Sequence, residues 1–245
     1  MATKKYKFFI LTGEPGVGKT TLTKKISTEI SGKGIKTTGF YTEEVRKNRT
    51  REGFDVVTLD GNRGRLARDQ ALLSSPLKFK VGKYGVLVKE FEDVALPSLI
   101  KSDNTQGHLM VIDEIGKMEF FSEPFKTAIR TIFNASSNST VLATIPVRRG
   151  DQLIESIRNN NQAKVWMVTR ENRNSIHEEI LKEINTTINW SSLPQYFCPV
   201  KLRQFQSVFI HSGDHHKCVK LGTLGLTGSH NNEKQYPVCK YVCLY

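Results

Sequence analysis

Gly13-Glu-Pro-Gly-Val-Gly-Lys-Thr20 decides how the rest of the chain is read. The string fits G-x-x-x-x-G-K-[ST], in which glycines let backbone N–H groups wrap phosphates, Lys19 meets the β- and γ-phosphates and Thr20 holds Mg²⁺. Upstream, Tyr6 to Thr12 is an apolar, β-rich run; downstream, Leu22, Ile26 and Ile30 recur at helical spacing until Gly32 and Gly34. The loop therefore joins a strand to an amphipathic helix. A phosphate would lie at the helix N-terminus, where orphan N–H groups and the dipole favour an anion. Gly13, Glu14, Pro15, Gly16, Val17, Gly18, Lys19, Thr20 and Thr21 are the expected nucleotide-binding residues. The competing reading, a glycine-rich turn before an ordinary helix, does not account for the strand in front of it.

Outward from the loop, short apolar runs alternate with helical periods as far as Ile188, the pattern of a mainly parallel sheet covered by helices on both faces. The expected strands are Tyr6 to Thr12, Thr37 to Val45, His108 to Ile112, Thr140 to Ile145 and Lys164 to Val168. Phe125, Ile129, Ile132 and Phe133 mark a helix after the cap Ser122, and Ile176, Ile180, Leu181, Ile184 and Ile188 mark another. Gly39 to Val45 and Gly53 to Leu59 flank the polar turn Lys47 to Glu52 and read as a β-hairpin inserted beside the main sheet. The fold class is thus an α/β P-loop fold.

A second chemical element is Leu109-Met-Val-Ile-Asp-Glu114, a buried-type strand ending in two acids. Asp113 is the expected Mg²⁺ ligand beside Thr20, and Glu114, directly after it, is the expected base for an attacking water. Two solvated acids at a strand end are the plainer alternative. Thr144, at the end of its strand, is a candidate to sense the γ-phosphate or bind the water, or else a hydroxyl capping the turn before Pro146. The catalytic set is therefore Glu114, Lys19 and Thr144. Arg148, Arg149, Arg170 and Arg173 follow expected strands on the ligand-binding edge, where an arginine neutralises transition-state charge. Asp113-Glu-Ile-Gly116 also fits the D-x-x-G of guanine-nucleotide switches, but no N-K-x-D base reader accompanies it. A nucleotide or small-molecule kinase shares the loop and adds an arginine-bearing lid; Arg63, Arg65 and Arg68 mimic one, although Gly61 and Gly64 beside them suggest a solvated turn. A nucleotide-sensing protein with residual hydrolysis is a further alternative.

The formal charge of +12, from 36 Lys and Arg against 24 Asp and Glu, favours anionic partners without choosing among them. The basic turn Arg46, Lys47, Arg49 and Arg51 reads as a solvated hairpin tip, so nucleic acid is not an expected partner. No apolar run approaches the roughly 18 residues of a spanning helix, so neither is a membrane. The expected location is the cytoplasm, with the nucleus also open. The organisation expected is one P-loop domain over 1–189 and a poorly ordered extension over 190–245, where periodicity fades. All four cysteines, Cys198, Cys218, Cys239 and Cys243, fall there. With His215 and His216 they make only a ragged version of a zinc spacing, and a disulfide framework does not suit a reducing compartment.

With both acidic and glycine-rich elements placed, the sequence resembles the cancer-related nucleoside-triphosphatase family. Gly39-Phe-Tyr-Thr-Glu-Glu-Val-Arg46, Gly53-Phe-Asp-Val-Val-Thr-Leu59, Val111-Ile-Asp-Glu-Ile-Gly-Lys-Met-Glu119, Ala143-Thr-Ile-Pro146 and Thr169-Arg-Glu-Asn-Arg173 look like that family's segments, in order. The resemblance covers residues 6–188, and 190–245 have no counterpart in it. It implies Mg²⁺-dependent hydrolysis of ATP, GTP and other nucleoside triphosphates to diphosphate and phosphate, with broad base preference and slow turnover. It also implies a sheet in which the Thr140 strand lies between the P-loop strand and the Asp113 strand.

Overall fold

The structure, a computed structural model, describes residues 6–100, 107–137 and 139–188. Among these residues nine strands form one sheet. In chain order they are β1 (Phe8–Gly13), β2 (Lys36–Lys47), β3 (Thr50–Thr58), β4 (Arg63–Asp69), β5 (Lys80–Val81), β6 (Tyr84–Val86), β7 (His108–Asp113), β8 (Thr140–Pro146) and β9 (Ala163–Met167). The helices are α1 (Lys19–Gly32), α2 (Val88–Ser98), α3 (Glu123–Ile132), α4 (Gln152–Arg158) and α5 (Ile176–Thr187).

The sheet order is β5-β6-β4-β3-β2-β7-β8-β1-β9, with β2, β7, β8, β1 and β9 parallel and the rest antiparallel. β8 lies between β1 and β7, the insertion that the resemblance implied. All six residues of β1 are buried, because the two-residue period of a strand sends alternate side chains into two different cores. Phe8 and Ile10 join Met110, Ile112, Val141 and Ala143 under α2, α3 and α4. Phe9 and Leu11 join Leu109, Val111 and Leu142 under α1 and α5. On the first face, Phe91 meets Phe40 and Phe125 edge-on with ring centroids 5.8 and 5.2 Å apart, which locks α2 and α3 onto β2.

The hairpin proves to be continuous with the sheet rather than a separate insert. β2 pairs in parallel with β7 through Lys36–Tyr41, and its outer part pairs antiparallel with β3 from Phe40 to Lys47. The turn narrows to Asn48 and Arg49, both at positive φ, with Lys47 opposite Thr50. The solvated turn expected around Arg63, Arg65 and Arg68 is corrected: they stand on β4, with Leu66 and Ala67 in the core. Arg63 and Arg68 both donate to the buried Asp55, at 2.7 and 2.5 Å, and Arg65 grips Glu90 of α2 through two bonds. Those acids come from β3 and α2, so a local reading of glycine and arginine does not find them. The extension 190–245, with its cysteines and histidines, lies outside the described residues.

Candidate functional site

β1 delivers Gly13 to the carboxyl edge of the sheet, and α1 begins at Lys19. The intervening loop has Gly16 at φ +74° and Gly18 at φ +109°, conformations that residues with a Cβ rarely adopt. Glu14, Pro15 and Gly16 are exposed, whereas Val17 anchors the loop in the core. Gly18 occupies the N-cap of α1 without a capping side chain, and the first turn carries no acid, an end suited to an anion. Lys19 is buried, and its Nζ donates to Gly13 O at 2.9 Å and Glu14 O at 3.5 Å. Thr20 is half-buried and Thr21 exposed.

β7 ends on Asp113, which is fully buried beside Thr144 of β8. The Thr144 hydroxyl donates to Asp113 Oδ1, so Thr144 meets the aspartate itself. The chain then folds over β8, with Ile115 N–H donating to Thr144 O at 2.9 Å, through a cis Asp113–Glu114 peptide. Asp113 Oδ2 is buried with no hydrogen-bond partner. Burial pushes the Asp113 carboxyl up, and the hydroxyls of Thr144 and Thr20 and the charges of Lys19 and Lys24 oppose that rise. Burial also raises the Glu114 carboxyl; Lys19 draws it down and the Asp113 charge pushes it further up. The structure thus brings Lys19, Thr20, Asp113, Glu114 and Thr144 into one electrostatic neighbourhood. An orphaned carboxylate oxygen near a threonine hydroxyl at the end of a P-loop is a donor set that fits a hard divalent cation.

Of the arginines named above, Arg173 reaches the loop: its Nη1 donates to Val17 O at 3.3 Å. Asn172 braces that segment by accepting from Thr169 N and donating to Met167 O, each at 2.8 Å. Arg148, Arg149 and Arg170 are exposed. Arg46 and Arg51 pair with Glu44 on the hairpin, away from the loop. Two further side chains, neither of them among the expected site residues, lie near the site. Lys24 of α1 pairs with Glu43 and lies 3.8 Å from the ring centre of Tyr41, the residue in register with Asp113. Glu43 and Tyr41 come from β2, so the α1 sequence alone does not show these contacts. Glu119, in the turn after β7, is buried close to Glu114. Among the described residues no helix is long and apolar enough to cross a membrane.

Comparison with known proteins agrees with this arrangement. A family model described as NTPase matches residues 8–181. The human cancer-related nucleoside-triphosphatase is 47% identical over 178 residues, 70% of this chain and 93% of that protein. Nucleoside-triphosphatase THEP1 of Thermotoga maritima is 42% identical over 172 residues, 70% of this chain and 92% of its own. The crystal structure of THEP1 from Aquifex aeolicus superposes with a TM-score of 0.63 at 40% identity, covering 72% of this chain and 98% of that one. The solution structure of a human cancer-related nucleoside triphosphatase gives 0.63 at 44% identity, covering 75% and 98%. By sequence and by fold, this chain belongs to the NTPase family.

Proposed function

We propose that this chain, a nucleoside-triphosphatase, binds a magnesium–nucleoside triphosphate along Gly13–Thr21 and hydrolyses the bond between the β- and γ-phosphates. The observation that carries the reading is Asp113. It is a fully buried carboxylate with one oxygen bonded by Thr144 and the other without a partner, close to Thr20 and followed directly by Glu114. Thr20 and Asp113 are the residues that would hold Mg²⁺, which supplies neutralisation of charge on the phosphate oxygens. Thr144 orients Asp113. Lys19 moves from its carbonyl partners to the β- and γ-phosphates, while the N–H groups at the start of α1 receive phosphate oxygens. Arg173, already bonded to the loop, is the arginine we assign to the developing negative charge.

In the reacting complex the water oxygen bonds to the γ-phosphorus and one water proton passes to a Glu114 oxygen. The bond from phosphorus to the β–γ bridging oxygen breaks, and the diphosphate leaves with those electrons. Arg63, Arg65 and Arg68 are engaged by Asp55, Glu43 and Glu90, which argues against a kinase lid. The test is Glu114→Gln, which keeps shape and removes the base. We expect kcat to fall about 10²- to 10⁴-fold with nucleotide affinity little changed. Asp113→Asn should weaken Mg²⁺-dependent binding as well. Phosphate release at the wild-type rate from Glu114→Gln, or diversion of most γ-phosphate to an added acceptor, contradicts the hydrolase mechanism.

A further inference from the structure

Glu119 is a buried acid to which the mechanism above gives no task. It opens the short 3-10 turn Glu119–Phe121, and only 5% of its surface is exposed. The turn is held by its backbone: Phe120 N donates to Gly116 O at 3.1 Å and Ser122 N to Glu119 O at 3.0 Å. The side chain folds back toward Gly116. Its Oε2 lies 3.0 Å from the point that a Gly116 Cβ would occupy, and Glu114 Oε1 lies 3.2 Å from the same point. Gly116 has no left-handed backbone to explain it, so its value is the room it leaves. Two carboxyl groups, one reaching out of the interior and one belonging to the proposed base, converge on the space of an absent methyl group.

We propose that Glu119 is a positioning residue for hydrolysis, fixing the orientation of the Glu114 carboxylate across Gly116. The proposal rests on the reading of Glu114 as the base. Two adjacent carboxylates cannot both ionise cheaply, and sites that divide the labour between neighbouring acids push their protonation apart. Burial, then the charge of Glu114 and that of Asp113, raises Glu119 to about 8, while the N–H groups of Glu119 and Gly116 act in the other direction. At neutral pH Glu119 therefore keeps its proton and presents no second negative charge to Glu114 across Gly116. When Glu119 ionises at higher pH, repulsion displaces Glu114 from its working orientation.

The experiment measures phosphate release by the full-length chain at saturating magnesium–ATP between pH 6.5 and 9.5, roughly 1.5 units on either side of this ionisation. Wild-type kcat should fall about tenfold as pH rises from 7 to 9, following loss of the neutral acid. Glu119→Ala should lose roughly 10- to 100-fold in kcat at pH 7 with unchanged ATP affinity. Glu119→Gln, uncharged and of the same shape, should restore most of what alanine loses and remain flat above pH 8, where the wild type declines. Superimposable wild-type and Glu119→Gln profiles overturn the proposal, as does wild-type kcat in a folded Glu119→Ala protein. If Glu114→Gln is itself fully active, the base assignment fails. If Glu114→Gln is inactive and the Glu119 variants behave as wild type, only the role of Glu119 fails.

Discussion

Lys19, Asp113 and Glu119 are all buried, and each meets the cost of a buried ionisable group in a different way. Lys19 leans on loop carbonyls, Asp113 takes the Thr144 hydroxyl, and Glu119 holds its proton. The last solution has a stability signature. The folded-state value near 8 stands above the ordinary glutamate value of 4.5, so between those pH values the unfolded chain gives up a proton that the folded chain retains. Folding stability contributed by this group is therefore full below about pH 4.5 and lost as pH rises toward about 8. Glu119→Gln removes that dependence, so its melting temperature relative to wild type should be higher at pH 8.5 than at pH 5, by roughly the effect of one to a few kcal/mol. Thermal melts at the two pH values check this; a constant difference contradicts the buried neutral acid. The string that holds Lys19 and Thr20 and the strand that ends on Asp113 were legible in the sequence because each is a run of adjacent residues. The Thr144 bond and the Glu119–Glu114 approach were not, because they depend on how two chain segments pass each other.

At the scale of elements, the antiparallel wing is held to the parallel sheet by charge as well as by its core. Asp55 of β3 receives Arg63 and Arg68 of β4, and Arg63 continues to Glu43, which also pairs with Lys24 of α1. Asp55 and Arg68 are largely buried, whereas Arg63 is about half exposed, so the inner pair carries most of the stability. Asp55→Ala leaves Arg68 without its acid and should cost about 2 to 3 kcal/mol, below the full value for a wholly buried pair. Urea unfolding measures the loss, and hydrogen exchange should show it first in β3 and β4. A change under about 0.5 kcal/mol, the usual range of surface substitutions, would show that the pair contributes little. The apolar strands β1, β7 and β8 announced themselves, since strands buried on both faces must be apolar throughout. β4 did not, because its arginines find their partners on other elements, and α2, with Pro97 in its last turn and no side-chain cap, lacks a clear start and stop.

For the whole molecule, the site depends on strand order. β8 stands between β1 and β7, which sets Thr144 against Asp113 and aligns the ends of three strands at one edge. The human relative matches 70% of this chain with 93% of its own length. The residues assigned to the reaction all precede Ile188, which packs into the second core, and Thr187 Oγ1 donates to Tyr6 O at 2.9 Å. We therefore expect truncation after Ile188 to leave phosphate release within about twofold and the melting temperature within a few degrees, the range left by loss of under 1 kcal/mol. Measuring both on the shortened chain decides the matter. Aggregation or loss of activity would mean that residues 189–245 complete the folded unit.

The sequence by itself determined the glycine-rich P-loop string, the strand that ends in two acids, the alternation of strands and helices, and the family. Each is written in adjacent residues or in a regular period, since a loop that wraps phosphate and a strand buried on both faces constrain composition locally. Tertiary structure alone decided that one arm of the hairpin is the outer part of β2, which pairs with β3 beyond its parallel pairing with β7, that Arg173 bonds to the loop, and that Gly116 makes room for two carboxyl groups. Those facts rest on contacts between segments distant in the chain or on a turn that folds back on itself. Burial and like charge then change the protonation of Glu119, which the sequence shows only as the end of a family segment with no task attached.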